Sequence, residues 1–228
     1  MQVQVLNWLG FEFIELSAEA PEGASPEAGT KAIFDAFETV LDSHGLSLEN
    51  TVRSRLFGRD RLSRDQGSDV RAATLTGPAR TATSSYIAPK LFATKAATKM
   101  DMIAIRPQAG LEKVIRENDP PRTPCRYFTY GPLMILSGQT AVLDTLKQQV
   151  TTNILPRITE YLGEANSSWD QVQQVSCYLH ESQTVQDMRD LFLTIAPSLP
   201  PRFEIRFVEG YSAKGKLVEI EVTATRKA

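Results

Sequence analysis

Five ionisable side chains near the C-terminus are spaced in a way that permits chemistry. Arg202, Glu204 and Arg206 alternate with Phe203, Ile205 and Phe207, while Glu219 and Glu221 alternate with Val218, Ile220, Val222 and Ala224. Such alternation predicts two strands, each with an apolar face and a charged one. Paired side by side, they place two arginines and three glutamates on one sheet face, as an ion-pair lattice or as a site. The chemistry on offer is recognition of an anion by planar guanidinium donors and proton transfer by a carboxyl group. The apolar rows belong under a helical layer, leaving the charged rows to water or to a partner subunit.

Other chemistries find less support. The only two histidines are His44, before Gly45 at the end of an apolar-periodic segment, and His180, after a strand-like run. The first suits a helix C-terminus and the second a turn, so no histidine triad or metal centre is expected. Cys125 and Cys177 form no CxxC or Cys/His cluster, which leaves neither a zinc site nor a disulfide framework. Arg53, Arg55, Arg59, Arg61 and Arg64 make a basic run, but Asp60 and Asp65 interrupt it. It reads as a solvated or intersubunit surface, and nucleic acid is not expected as a partner.

The elements that carry these residues occur twice. Gly10 and Gly131 precede FEFIELSA and PLMILSGQ, which bring Ser17 and Ser137; Gly45 and Gly163 each close a helical pattern; Arg80 and Arg202 each end a Pro-x-Arg; Asp101 and Glu221 sit in MDMIAI and VEIEVTA. Successive landmarks are offset by 121, 120, 118, 122 and 120 residues. Each copy reads as hairpin, helix, strand, helix and two strands, an α+β module with helices on one face of a mixed sheet. In the first, Ile33, Phe37, Val40 and Leu41 mark a helix, Val52 to Phe57 a strand, and Asp65 to Leu75 a short helix. In the second, Val142, Leu146, Val150, Ile154 and Ile158 form a longer stripe, within which Pro156 should kink the helix. The Pro-rich stretch 107–124 is the expected linker between modules 1–106 and 125–228.

Length and composition agree with this division. The chain has 228 residues, a net charge of −2 and 42% apolar residues, enough for one large domain or two small ones with working cores. Near-neutral charge offers no field for nucleic acid or an anionic membrane, and no apolar run reaches the roughly 20 residues of a membrane span. The opening MQVQVLNWLG has no secretory pattern, so a cytoplasmic address is the default.

GPLMILSGQ, the helix ending at Gly163, DQVQQVSCYL, the Pro-Pro-Arg at Arg202 and the closing VEIEVTA together resemble the Rid/YjgF family, the reactive-intermediate deaminases. The second copy matches from about Tyr127 to Arg226. The first is a degenerate relative, carried by GLSLENTVRSRLF, the Pro-Ala-Arg at Arg80 and MDMIAI. The resemblance implies a chorismate-mutase-like fold, ligand clefts between modules, and a homotrimer of two-module chains. It implies Arg202 as clamp for a substrate carboxylate and Glu219 as the acid that positions water, with Ser137, Gly138 and Tyr127 lining the pocket and neither metal nor organic cofactor. Glu204 departs from the family's small residue and places negative charge near the ligand. In the first copy Ala18 replaces the glycine and Lys99 stands where the second has Glu219, so Arg80 and Ser17 serve either structure or a composite cleft. Three readings follow: a hydrolytic deaminase of a small carboxylate-bearing enamine or imine, a non-catalytic carboxylate-binding or scaffold protein, and a chorismatase-like enzyme of a specialised pathway.

Overall fold

Alternating FEFIELSAE and VEIEVTAT do form strands, and each lies inside its own sheet with a paired strand on either side. The computed structural model describes residues 1–121 and 123–227. They divide into two compact units, Met1–Leu111 and a second that begins at Glu112.

The first unit contains β1 (Gln2–Trp8), β2 (Phe11–Glu19), α1 (Pro26–Ser43), β3 (Thr51–Gly58), α2 (Arg61–Thr74), β4 (Ala82–Ile87) and β5 (Thr98–Ile105). Its strand order is β1-β2-β5-β3-β4, with only β3 and β4 parallel. Ser25 caps α1 by accepting the Ala28 N–H, and Pro26 supplies a fixed φ in the first turn. Ile33, Phe34, Phe37 and Leu41 then lie on one side of α1 and pack on Ile14, Leu16, Met100 and Met102 of the sheet. Asp60 caps α2 through the Ser63 N–H. The approach of α2 to β3 is so close that a Cβ on Gly58 would lie 2.2 Å from the Arg64 backbone nitrogen.

The second unit contains β6 (Lys113–Arg116), β7 (Tyr127–Tyr130), β8 (Leu133–Leu136), β9 (Gln139–Thr140), α3 (Leu155–Glu164), β10 (Val172–His180), α4 (Val185–Phe192), β11 (Arg202–Val208) and β12 (Val218–Thr225). Read from β7, its sheet runs β7-β8-β12-β10-β11, the same order as the first unit, with β10 and β11 the parallel pair. Even a local irregularity is duplicated: the ladder slips between Thr51 and Arg53 in one unit and between Val172 and Gln174 in the other. Val218, Ile220, Val222 and Ala224 are fully buried in the core with Val150, Ile154, Ile158, Met188 and Phe192, as their alternation requires.

Three expectations need correction. The stretch 107–124 is not all linker, because Lys113–Arg116 pairs antiparallel with β7 and extends the second sheet. Val142 is exposed and lies outside the helix, whose buried stripe begins at Leu146. Pro156 does not act by simply kinking an α-helix. The preceding segment Gln148–Ile154 is π-helical, and Leu155 N–H bonds Val150 O five residues back. The wider turn gives room to the proline ring, which in α-geometry meets the carbonyl four residues before it. No described helix is long and apolar enough to cross a membrane.

Candidate active site

Glu219 stands on the sheet face turned away from the helices, between Tyr178 of β10 and Thr140 of β9. It is 6% exposed, and Glu221, Ser176 and Thr223 on the same face are also buried. Glu219 is therefore largely withdrawn from water. The second unit itself supplies cover. A Cβ on Gly138 would fall 1.9 Å from Glu219 Oε1, so the carboxyl group rests directly on the bare Cα of that glycine. Tyr211 closes from another side, donating its hydroxyl to Tyr178 O at 2.9 Å. Burial, with the neighbouring charge of Glu219, drives the Tyr211 phenol far above its ordinary range and keeps it protonated.

The seat at Gly138 is made by a bulge. Thr223 is opposite Ile135, but Ile220 is opposite Gln139, so one more residue lies on the β8–β9 side than on β12 between these pairs. In the first unit the ladder from Phe13 to Glu19 against Ile105 to Lys99 runs without a break. Bulges bend a strand and re-aim side chains, and here the bulged stretch contains Ser137 and Gly138. Hydrogen bonds hold it: Ser137 N–H to Arg126 O at 3.1 Å, and Gln139 Nε2–H to Ser137 O at 2.9 Å. Arg157 on α3 reaches Gln139 Oε1 and Thr140 O, both at 3.4 Å. Ser137 is fully buried, with its Oγ 3.8 Å from Cys125 Sγ. Sequence reasoning named Ser137 and Gly138 but missed Tyr211, Gln139 and Arg157, which carry no motif.

The other expected residues do not gather around Glu219. Arg202 is half-buried at the start of the edge strand β11, level with Gln174 and Thr223. It is four residues along the strand direction from Glu219, about 13 Å at the usual rise, and two strands across. The arginine level with Tyr178 and Glu219 is instead Arg206, which is exposed and forms a 3.7 Å ion pair with exposed Glu204. That half-exposed pair adds little stability, but it counters the charge of Glu204. Tyr127 is on the helix-covered side, inside the hydrophobic core, with its hydroxyl 3.3 Å from Glu164 Oε2. It is not beside Glu219.

In the first unit, Ser17 donates a 2.7 Å hydrogen bond to Asp101 Oδ1, its cross-strand partner. Lys99, at the position of Glu219, bonds Leu91 O. Arg80 is not the structural counterpart of Arg202. Arg53 pairs with Ala82, whereas Gln174, its equivalent, pairs with Arg202. The two Pro-x-Arg motifs thus sit two residues apart in register, and alanine occupies the clamp position. Of the basic run, Arg61 is exposed, but other members are held against the unit. Arg53 is 4% exposed, Arg59 bonds Ala96 O at 2.9 Å and stacks over Phe92, and Arg64 pairs with Asp65 at 2.7 Å.

No protein-family model and no curated protein matches the chain. Solved structures do. A chorismatase superimposes with a TM-score of 0.62 at 14% identity, over 97% of this chain and 79% of its own. A YjgF/YER057c/UK114 family member from Mycobacterium tuberculosis aligns with 50% of this chain and 99% of its own, at 22% identity and a TM-score of 0.43. A Rid family protein from Yersinia pestis covers 50% of this chain and 98% of its own, at 20% identity and a TM-score of 0.44. The fold is thus chorismatase-like along the chain, and it consists of two units with one strand order, as expected from the repeat.

Proposed function

We propose that the second unit hydrolyses a small carboxylate-bearing enamine or imine to a keto acid and ammonia, with Glu219 as the proton carrier. The supporting observation is the Glu219 carboxyl group, buried on the Gly138 bulge and walled by Tyr178 and Tyr211. Burying such a group is costly unless it is hydrogen-bonded, and an apolar residue would fill the space more cheaply. A proton on the enamine carbon gives the iminium. Water adds to the iminium carbon while Glu219 accepts a water proton, then returns it to nitrogen. The carbinolamine collapses as the C–N bond breaks and its hydroxyl proton passes to Glu219, replacing the one that Glu219 delivered to the enamine carbon, which leaves ketone and ammonia.

Within one unit, backbone register sets Arg202 four residues along the sheet from Glu219. We assign Arg202 to a neighbouring copy's site, where the half-buried edge strand presents it to the substrate carboxylate. The test generates 2-aminoacrylate in situ and follows pyruvate formation. Glu219→Gln and Arg202→Ala should each lower the rate over the spontaneous reaction by about 100-fold or more. Mixing and reassociating the two inactive variants should restore part of the activity, because some mixed sites receive both intact residues. Failure of the mixture with each variant folded removes the shared-site assignment; no acceleration by the unmodified protein removes deamination.

A second reading is favoured by the chorismatase likeness along the whole chain. A vinyl ether is the oxygen counterpart of an enamine and undergoes the same carbon protonation and hydration. Pyruvate release from chorismate, read by the same assay, separates the two. Carboxylate binding without turnover of either substrate leaves the scaffold reading.

A further inference from the structure

A second polar cavity lies in the same unit on the helix-covered side, away from Glu219. It has a volume of about 550 Å³ and is lined by Ile115, Arg116, Glu117, Arg126, Tyr127 and Glu164. Three elements build it: the added edge strand β6, the start of β7 and the last turn of α3. Arg116 is directly opposite Tyr127 in the β6–β7 ladder. Its side chain hydrogen-bonds the Tyr127 hydroxyl, whose pKa is raised by burial and by the adjacent Glu164. Arg126 approaches Glu164 Oε1 at 3.3 Å and has its guanidinium 5.4 Å from the Tyr161 ring centre. The first unit's sheet ends at β1, with no counterpart of β6.

The charges here are arranged for something smaller than a protein. The Arg126 guanidinium and the Tyr127 phenol meet at Glu164 while Arg116 lines the same cavity, yet both contacts to that carboxylate are 3.3 Å. Charge-assisted bonds normally close to 2.7–2.9 Å. Glu164 and Arg126 are each about one third exposed, so their pairing is screened and weak. The cavity volume is in the range of small-molecule sites. The Tyr127 ring, with Tyr161 packed beside it, adds apolar wall, while two arginines and two glutamates supply both signs of charge. We propose that this cavity binds a free α-amino acid, its carboxylate on Arg116 and Arg126 and its ammonium on Glu164, with an apolar side chain against the Tyr127 ring.

The full-length protein is titrated calorimetrically with leucine, and in parallel with isocaproate, which lacks the amine, and isoamylamine, which lacks the carboxylate. Leucine should bind, and each truncated probe should bind about tenfold more weakly or worse, since each loses one charged contact. Arg116→Gln with Arg126→Gln should weaken leucine about tenfold or more. Glu164→Gln should reverse the preference, so that isocaproate binds better than leucine. Glu219→Gln should leave all three affinities unchanged, which separates this cavity from the catalytic site. The proposal is overturned if leucine does not bind, if the double variant binds it as well as the unmodified protein, or if binding follows Glu219. Far-ultraviolet circular dichroism establishes that each variant is folded; if the double variant is not, the Glu164→Gln preference decides.

Discussion

A glycine can be required for what lies above it and not for its own backbone, and Gly138 is of this kind. Its Cα carries the Glu219 carboxyl group, and a methyl there would displace it. Gly138→Ala should therefore leave the protein folded, at a cost of about 1–3 kcal/mol, while removing most of the turnover, which thermal melts and the pyruvate assay read separately. Glu19 illustrates the reverse situation, a carboxylate retained for structure. Burial raises its pKa, but hydrogen bonds from Thr94 and Ala93 and the charge of Lys99 outweigh this and hold it below the ordinary value. A depressed folded pKa stabilises the protein above the unfolded value and loses that contribution as pH falls. Glu19→Gln should consequently flatten the decline of stability between about pH 5 and pH 3, measurable by denaturant titration at several pH values.

Among the elements, the π-helical segment has the clearest structural task. It carries Gln149 into the interior, fully buried, where Nε2–H donates to Leu143 O at 2.7 Å and Gly215 O at 2.6 Å, and Oε1 accepts from Leu217 N at 2.8 Å. One side chain thus ties the helix to the turn that leads into β12, the strand that bears Glu219. Gln149→Leu strands three main-chain groups and should cost about 3 kcal/mol or more, visible as a fall in denaturation midpoint. This was not legible in the sequence, since an apolar stripe with Pro156 in it gives no sign of which turn widens. The strands were legible, because alternation fixes which side chains share a face. Their register was not: Arg80 and Arg202 match as motifs, yet only one stands opposite Gln174 or its equivalent. Pairing depends on how the long excursions between strands close, and neighbouring residues do not encode that.

For the molecule as a whole, the duplication was readable from evenly spaced glycines, serines and Pro-x-Arg motifs, and both sheets have the order it implied. What spacing could not reveal is where one unit stops. Proline-rich composition pointed to a linker through 107–124, but backbone hydrogen bonding recruits part of it into the second sheet. A fragment beginning at residue 112 should accordingly be more stable than one beginning at 125, since the shorter leaves the β7 edge and the Arg116 face of Tyr127 uncovered; comparing their thermal midpoints tests this. Charged residues were the hardest to interpret at this scale. The same sequence signal, an arginine or glutamate every second residue, gives buried Arg53 and Glu219 in one place and exposed Arg206 in another.

The single unmatched residue around Ser137 and Gly138 makes the protein its own control. Deleting Gly138 should close the irregular ladder into the continuous form already present from Phe13 to Glu19, turning the later half into a silent twin of the earlier one. The deletion variant then supplies the background rate to be subtracted from the turnover of the unmodified protein.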